Sequence, residues 1–388
     1  MRPRSGPHAL KRLVAHKRVV LCVGSGGVGK TTTAAALALA AAASGRRALV
    51  ITIDPARRLA NALGLSSLEA RPRRIEERLL VEAGLPRDAS FSAMTLDLKA
   101  AWDHLVERTA RDANTARRIQ TNRLYRAVST DLPGAQDFIA CEALFTLAED
   151  DAYDLIVLDT PPTQNALDFL DAPNRILDML DNEAFRFFAE REASAASLLG
   201  LRFLDTAHSA VNALLSRFTG SSFLDELSDF LVVMRDLYAP VRERTRGLHM
   251  LLRSADSAFV VVTSPAPGPR REALAFLSLL EERGYPLGAI VANRVTPAPG
   301  DVADPRTLAE NLVHAAKAEE LAAAIARAHA EQARDAAHDE AALDEVRAHA
   351  PALPCVAVPR LTGDIADLRG LARLLPALVA EEPEPALD

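Results

Sequence analysis

The stretch Gly24-Ser25-Gly26-Gly27-Val28-Gly29-Lys30-Thr31 constrains the fold of this chain more than any other. It satisfies the spacing G-x-x-x-x-G-K-[ST]. The chain's own glycine, lysine and Ser/Thr frequencies put a chance match on the order of one in a thousand. An apolar run, Arg18 to Val23, precedes it and a helix-forming run, Thr33 to Ala43, follows. The segment therefore predicts a buried strand, a tight turn and a helix, which is the setting in which such a loop grips phosphate. Glycines let backbone N–H groups converge without Cβ clashes, and the helix N-terminus adds about half a positive charge. Lys30 can then reach the β- and γ-phosphates of a nucleotide, Thr31 can place its hydroxyl on Mg²⁺, and Thr32 stands next as a further phosphate contact. The bland alternative is a glycine-rich turn capping an ordinary helix. Lysine is scarce, occurring only as Lys11, Lys17, Lys30, Lys99 and Lys317, so its presence at the one required position argues against that alternative.

The 388 residues allow a large core, in several domains or in one α/β domain with insertions. Hydrophobic residues make up 49% and aromatics 5%, so Ala, Leu and Val must supply the buried surface. A net charge of −7 argues against a broad nucleic-acid face, which needs a basic surface. Cys22, Cys141 and Cys355 are far apart and form no C-x-x-C pair; each reads as a small apolar residue, and no zinc site is expected. Residues Met1 to Lys17 are basic without an apolar core, and Thr33 to Ser44 is too short to cross a bilayer of about 30 Å, so the expected compartment is the cytoplasm.

Six runs rich in aliphatic and β-branched residues are separated by helical patterns: Arg18 to Val23, Ala48 to Ile53, Tyr153 to Leu158, Ala258 to Thr263, Leu287 to Ala292 and Pro354 to Val358. Phe91 to Leu96 is a further candidate strand. This alternation predicts an α/β fold, a mostly parallel sheet with helices on both faces. From Pro173 to Asp256 the apolar residues recur at helical spacing instead, as at Phe185 and Phe188, or Phe223, Leu227, Phe230 and Leu231, which predicts a helical insertion. Asp97 to Glu149 reads as helical with a break at Asp131-Leu132-Pro133-Gly134, and Asp304 to His349 as a surface helix pair. The expected organisation is a core in two parts, residues 1–172 and 257–378, around an insertion at 173–256, with an acidic disordered tail at 379–388.

Two carboxylates end apolar strands. Asp159 closes Leu155-Ile156-Val157-Leu158 and precedes Thr160-Pro161-Pro162-Thr163, as a magnesium-holding acid would. Asp54 closes the second strand and begins Asp54-Pro55-Ala56, where it could equally cap the next helix.

Together, the loop with its second threonine, Asp54-Pro55-Ala56-Arg57-Arg58-Leu59, and Asp159-Thr160-Pro161-Pro162-Thr163 with the following Ala166-Leu167 and Phe169-Leu170, resemble the family of the arsenical-pump ATPase ArsA and the ATPase that targets tail-anchored membrane proteins, dimeric P-loop proteins of the SIMIBI class. The similarity runs from about Arg18 to Leu371. It implies ATP with Mg²⁺ as ligand, Asp54 in a first switch that activates the attacking water, and Asp159 to Thr163 as a second switch. It implies Thr31, Asp54 and Asp159 around the metal and Asn293 reading adenine, whereas from the residues alone Asn293 could also be a strand-end turn. Pro359 and Arg360 resemble the loop that packs on the base. The implied assembly is a dimer of like subunits or a mixed dimer with a related ATPase, and the helical insertion falls where the targeting ATPase holds a hydrophobic client.

The chain departs from these relatives at Ser25, where the class carries a signature lysine that crosses to the partner's nucleotide. Serine has no charge to offer developing phosphoryl charge. Arg57 or Arg58 could substitute, turnover could be slow, or a different partner subunit could supply the cation. The zinc-binding C-x-x-C is absent, Cys22 and Cys355 lie in the first and last strands rather than in an arsenite site, and the insertion holds few methionines. Three functions follow: a hydrolysing dimeric switch, a slow nucleotide-dependent scaffold, or a partitioning ATPase on DNA or membrane. The acidic tail disfavours the last.

Overall fold

The computed structural model describes residues 6–379 except 55–56, 124, 127–128, 130–134, 161–162, 182–221, 301–306, 308–317 and 362. The expected break at 131–134, the apolar positions Phe185 and Phe188, and residues 380–388 of the acidic tail lie outside the described residues, as do Pro55, Ala56, Pro161 and Pro162, whereas Val379 ends a helix, Leu375–Val379.

Eight strands form one sheet: β1 (Val19–Val23), β2 (Arg47–Thr52), β3 (Arg73–Arg74), β4 (Ser90–Thr95), β5 (Leu155–Asp159), β6 (Ser257–Thr263), β7 (Leu287–Val295) and β8 (Cys355–Pro359). Their order is β3-β4-β2-β5-β1-β6-β7-β8, and every pairing is parallel except that of the short edge strand β3 with β4. The α/β class, the six principal runs and the weaker candidate at Phe91 to Leu96 are thus all present. β1 sits between β5 and β6, so the chain after β1 leaves the sheet where the strand order reverses. Crevices for ligands open at such a point in parallel sheets.

The strands read as continuous apolar runs because both faces are covered. Within each strand the pleat still sorts side chains by parity. Val20 and Cys22 of β1, Val50 of β2, Val157 of β5 and Val260 of β6 join one core cluster, which also takes in the buried Leu37 and Leu39 of helix Lys30–Ala43. Val19, Leu21, Leu49, Ile156 and Phe259 point the other way, into a second cluster with Cys141, Leu144, Leu248, Leu252 and Phe276. Helix Lys30–Ala43 is buried along nearly its whole length. Alanine is the residue that makes this possible, since its small side chain lets the helix lie close to the sheet and to the elements above it.

Helix Gly6–His16, β3 and the helices Leu368–Ala372 and Leu375–Val379 had no sequence expectation. Helix Gly6–His16 packs Leu10, Leu13 and Val14, an i, i+3, i+4 stripe, into the first cluster. The stripe is short and lies among basic residues. β3 is too short to carry a hydrophobic pattern. Of the expected surface helix pair over 304–349, residues 318–349 form one unbroken helix, Ala318–His349, with no Gly or Pro to interrupt it. Helix Thr163–Asp181 carries Pro173 in its interior, and Cys355 is half-buried where Cys22 and Cys141 are fully buried.

Two helices on the second face are tied by Arg244. Arg244, on helix Ser222–Arg253, reaches Glu142, Phe145, Thr146 and Glu149, the stripe of helix Ala135–Glu149 that faces it. Glu142 is almost fully buried, and burial raises its carboxyl despite the guanidinium beside it. Removing one member of such a pair leaves an uncompensated charge in a dry place. Arg244→Leu is therefore expected to cost about 3 kcal/mol in urea unfolding. Adding Glu142→Leu should restore most of that loss, and a double variant as unstable as the single one would contradict this account.

Candidate functional site

The loop between β1 and helix Lys30–Ala43 is built on close approaches that only glycine permits. Gly24 has φ 152, and a Cβ there would stand 2.1 Å from the Val262 carbonyl oxygen of β6. Gly29 has φ 95 and is the N-cap of the helix, with no side chain of its own to cap it. Gly26 and Gly27 are exposed at the loop's outer turn, whereas Val28 is buried and anchors it. Lys30 is buried, and its Nζ donates to the carbonyl oxygens of Gly24, at 2.9 Å, and Ser25, at 2.8 Å. The ammonium thus lies over the loop's own start, within reach of anything the loop encloses. Burial lowers its pKa, an effect opposed chiefly by the Asp159 carboxylate. Thr32 follows Thr31 in the first turn, half-buried.

Asp159 is the centre of the site. It ends β5, which lies directly beside β1, so its carboxylate falls against the start of the loop helix. Oδ2 accepts from the Thr31 hydroxyl at 2.6 Å and from the Thr52 hydroxyl at 3.0 Å. Oδ1 is buried and has no hydrogen-bond partner. Desolvation raises the carboxyl to about 6, against the opposing effects of the two hydroxyls and Lys30. A buried carboxylate with a bare oxygen, next to a threonine hydroxyl and a phosphate-type loop, is a donor set suited to Mg²⁺, a hard ion that prefers one or two carboxylates plus phosphate and water oxygens.

Thr52 was not anticipated. It ends β2, and besides donating to Asp159 its Oγ1 accepts from the Asp54 backbone N–H at 3.2 Å, so one hydroxyl links both acids. The signal was a hydroxyl residue closing an otherwise apolar strand. Thr160, next after Asp159, donates to the Cys22 carbonyl oxygen at 2.9 Å and ties the segment to β1. Asp54 is partly exposed and pairs with Arg58 at 3.2 Å. Ser25 is buried, and its Oγ, like Asp159 Oδ1, has no hydrogen-bond partner.

Asn293 lies at the same end of the sheet. It was expected just beyond a strand ending at Ala292, but β7 runs on to Val295. The pairing with β8 shifts between Ala292 and Val295, because Arg294 adopts φ 61 and turns the backbone there. Its side chain reaches the loop, with Nδ2 donating to the Val28 carbonyl oxygen at 2.8 Å. Pro359 pairs with Val295, and the Arg360 N–H donates to the Val295 carbonyl oxygen at 2.8 Å. The ends of β7 and β8 therefore stand together on the opposite side of the loop from Asp54, which follows β2.

The Asp159 carboxyl has a consequence for stability. Its folded pKa, about 6, lies above the unfolded value of about 3.9. The folded chain holds the proton more tightly, so this contribution is complete below about pH 4 and is lost as pH rises towards 6. In magnesium-free solution Asp159→Asn should abolish that slope, and at pH 7 its urea midpoint should equal or exceed that of the unsubstituted protein. A markedly lower midpoint would mean that the ionised carboxylate is not destabilising.

Residues 17–311 match the family model described as anion-transporting ATPase, ArsA_ATPase. The matched span contains the loop, Asp54, Asp159 and Asn293. "ATPase ASNA1 homolog 1" of Paramecium tetraurelia is 31% identical over 151 residues, covering 39% of this chain and 42% of that protein. An "ATPase ASNA1 homolog" of Entamoeba histolytica is 28% identical over 183 residues, covering 45% of this chain and 52% of that protein. An uncharacterized protein of Streptomyces coelicolor is 32% identical over 282 residues, covering 72% of this chain and 63% of that one. The aligned parts span about half the length of the curated relatives. Because the family model covers well over half of the sequence, with the loop, Asp54, Asp159 and Asn293 inside it, this chain belongs to the anion-transporting ATPase family.

Proposed function

We propose that the chain binds ATP with magnesium at Gly24 to Thr32 and hydrolyses it to ADP and phosphate. The observation that carries this is the buried Asp159 carboxylate, anchored by the hydroxyls of Thr31 and Thr52 with its second oxygen bare. Thr31 and Asp159 would hold the metal, with Asp54 at its edge, and the metal would supply positive charge to the phosphates. The backbone N–H groups of the loop orient the phosphates, and Lys30 adds its charge to them as negative charge develops. Asp54, more exposed than Asp159 and held through its N–H by Thr52, is placed to orient a water and accept its proton. Its pairing with Arg58 joins a cation to this first switch. Asn293, Pro359 and Arg360 would receive the base.

The reading extends to a dimeric switch, with a like or a related subunit, whose nucleotide state governs the helices of the insertion and through them a client or membrane-protein partner. Family membership supports the ATPase. The switch is supported by the two acids at strand ends and by the Arg244 contacts that join the insertion to the core. No helix among the described residues is long and apolar enough to cross a membrane.

A second reading is a slow, nucleotide-dependent scaffold. Ser25 favours it, being buried and uncharged where related proteins place a lysine. Steady-state phosphate release separates the two. Under the hydrolysing reading Asp54→Asn should lower turnover by about a hundredfold or more while Mg-ATP still binds, and Lys30→Ala should lose binding itself. Tight Mg-ATP binding without measurable release from the unsubstituted chain would establish the scaffold instead. ATP-trapped Asp54→Asn should also sediment at twice the monomer mass, and a monomer under saturating Mg-ATP would remove the homodimer.

A further inference from the structure

We propose that Asn293 is a positioning residue for the phosphate loop, so that the residue facing the base also sets the conformation that grips phosphate. The inference rests on the nucleotide reading above and deepens it. Its geometric basis is that both ends of the carboxamide are engaged within the chain. Nδ2 donates to the Val28 carbonyl oxygen at 2.8 Å, and Oδ1 accepts from the Arg294 N–H at 2.9 Å. The second bond coincides with the φ of 61 at Arg294, the one positive φ at a non-glycine position among the described residues. The amide is thereby held at the β7 end while it holds the loop.

Val28 O and Gly29 N–H belong to one peptide plane. In a trans peptide they point in opposite directions, and no cis peptide is present. Clasping the carbonyl to Asn293 therefore fixes the Gly29 N–H facing away from it, and this N–H is one of the loop donors available to phosphate. The approach is so close that a Cβ on Gly29 would stand 2.1 Å from Nδ2. Glycine at position 29 thus serves the clasp as well as the turn. Val28 is buried, and the bond itself is part-buried.

A carboxamide has two donor hydrogens and two acceptor lone pairs. The clasp uses one of each, which leaves one of each for a purine edge. Holding the loop and meeting a base are therefore compatible in one side chain. A substitution at 293 should disturb the response to phosphate even when no base is present.

Magnesium tripolyphosphate, which has no base, is the discriminating probe. Its affinity, and those of Mg-ATP and Mg-GTP, would be measured by calorimetry for the unsubstituted protein, Asn293→Ala and Lys30→Ala. Amide hydrogen exchange of the segment 23–33 would be followed without any ligand. Asn293→Ala should weaken tripolyphosphate binding about tenfold, the equivalent of one hydrogen bond, and speed exchange in the loop while the global unfolding midpoint hardly moves. Asn293→Ser, which keeps a shorter donor, should fall between. Unchanged tripolyphosphate affinity and unchanged loop exchange in Asn293→Ala, with only the ATP-to-GTP ratio altered, would overturn the positioning role. Failure of the nucleotide reading looks different: Lys30→Ala would leave every affinity as it was, while loop exchange would still report on the clasp.

Discussion

The site depends on one carboxylate in a place where carboxylates are costly. Asp159 is buried at the end of a central strand and made tolerable by two hydroxyls from two other elements, Thr31 at the start of the loop helix and Thr52 at the end of β2. Three segments distant in sequence are thus brought to one oxygen atom. The parallel register of β1, β2 and β5 places them there, because each strand ends at the same level of the sheet. The remaining oxygen stays bare and the group resists ionisation. Such a site holds electrostatic energy that a cation can release, which is what an ion-dependent binding centre requires.

Around it the architecture is conservative. The sheet is sorted by parity into two cores, and the loop helix is almost entirely alanine and leucine on its buried sides. A helix of larger residues could not lie so close to β1, and Lys30 and Thr31 would then be lifted from the acid. The low aromatic content belongs to the same design.

Much of this was legible in the sequence for a physical reason. Buried parallel strands and the glycine-lysine loop both impose strict local chemistry, so runs such as Val19 to Val23 and the Gly24 to Thr31 segment announce themselves. Asp159 and Asp54 were legible as acids closing apolar runs. What escaped was decided by distant contacts. Helix Gly6–His16 carries Leu10, Leu13 and Val14 among basic residues, and that stripe has meaning only against the distant elements it packs on, among them helix Leu375–Val379, the loop helix, β7 and β8. Thr52 is one more β-branched residue until Asp159 stands beside it. The continuation of β7 through Asn293 depends on a left-handed arginine that no propensity suggests. Ser25 was read correctly as uncharged, but its burial with an unpartnered hydroxyl could be known only from the packing.

The bracket made by Arg244 has a mechanical corollary. Its contacts span Glu142 to Glu149, two turns of the helix that leads directly into β5 and so into Asp159. Over that length the helix Ser222–Arg253 cannot slide past its neighbour without breaking every contact together. Over that length the two helices therefore form one strut mounted on the acid's own strand, and a hinge between them would have to lie outside it.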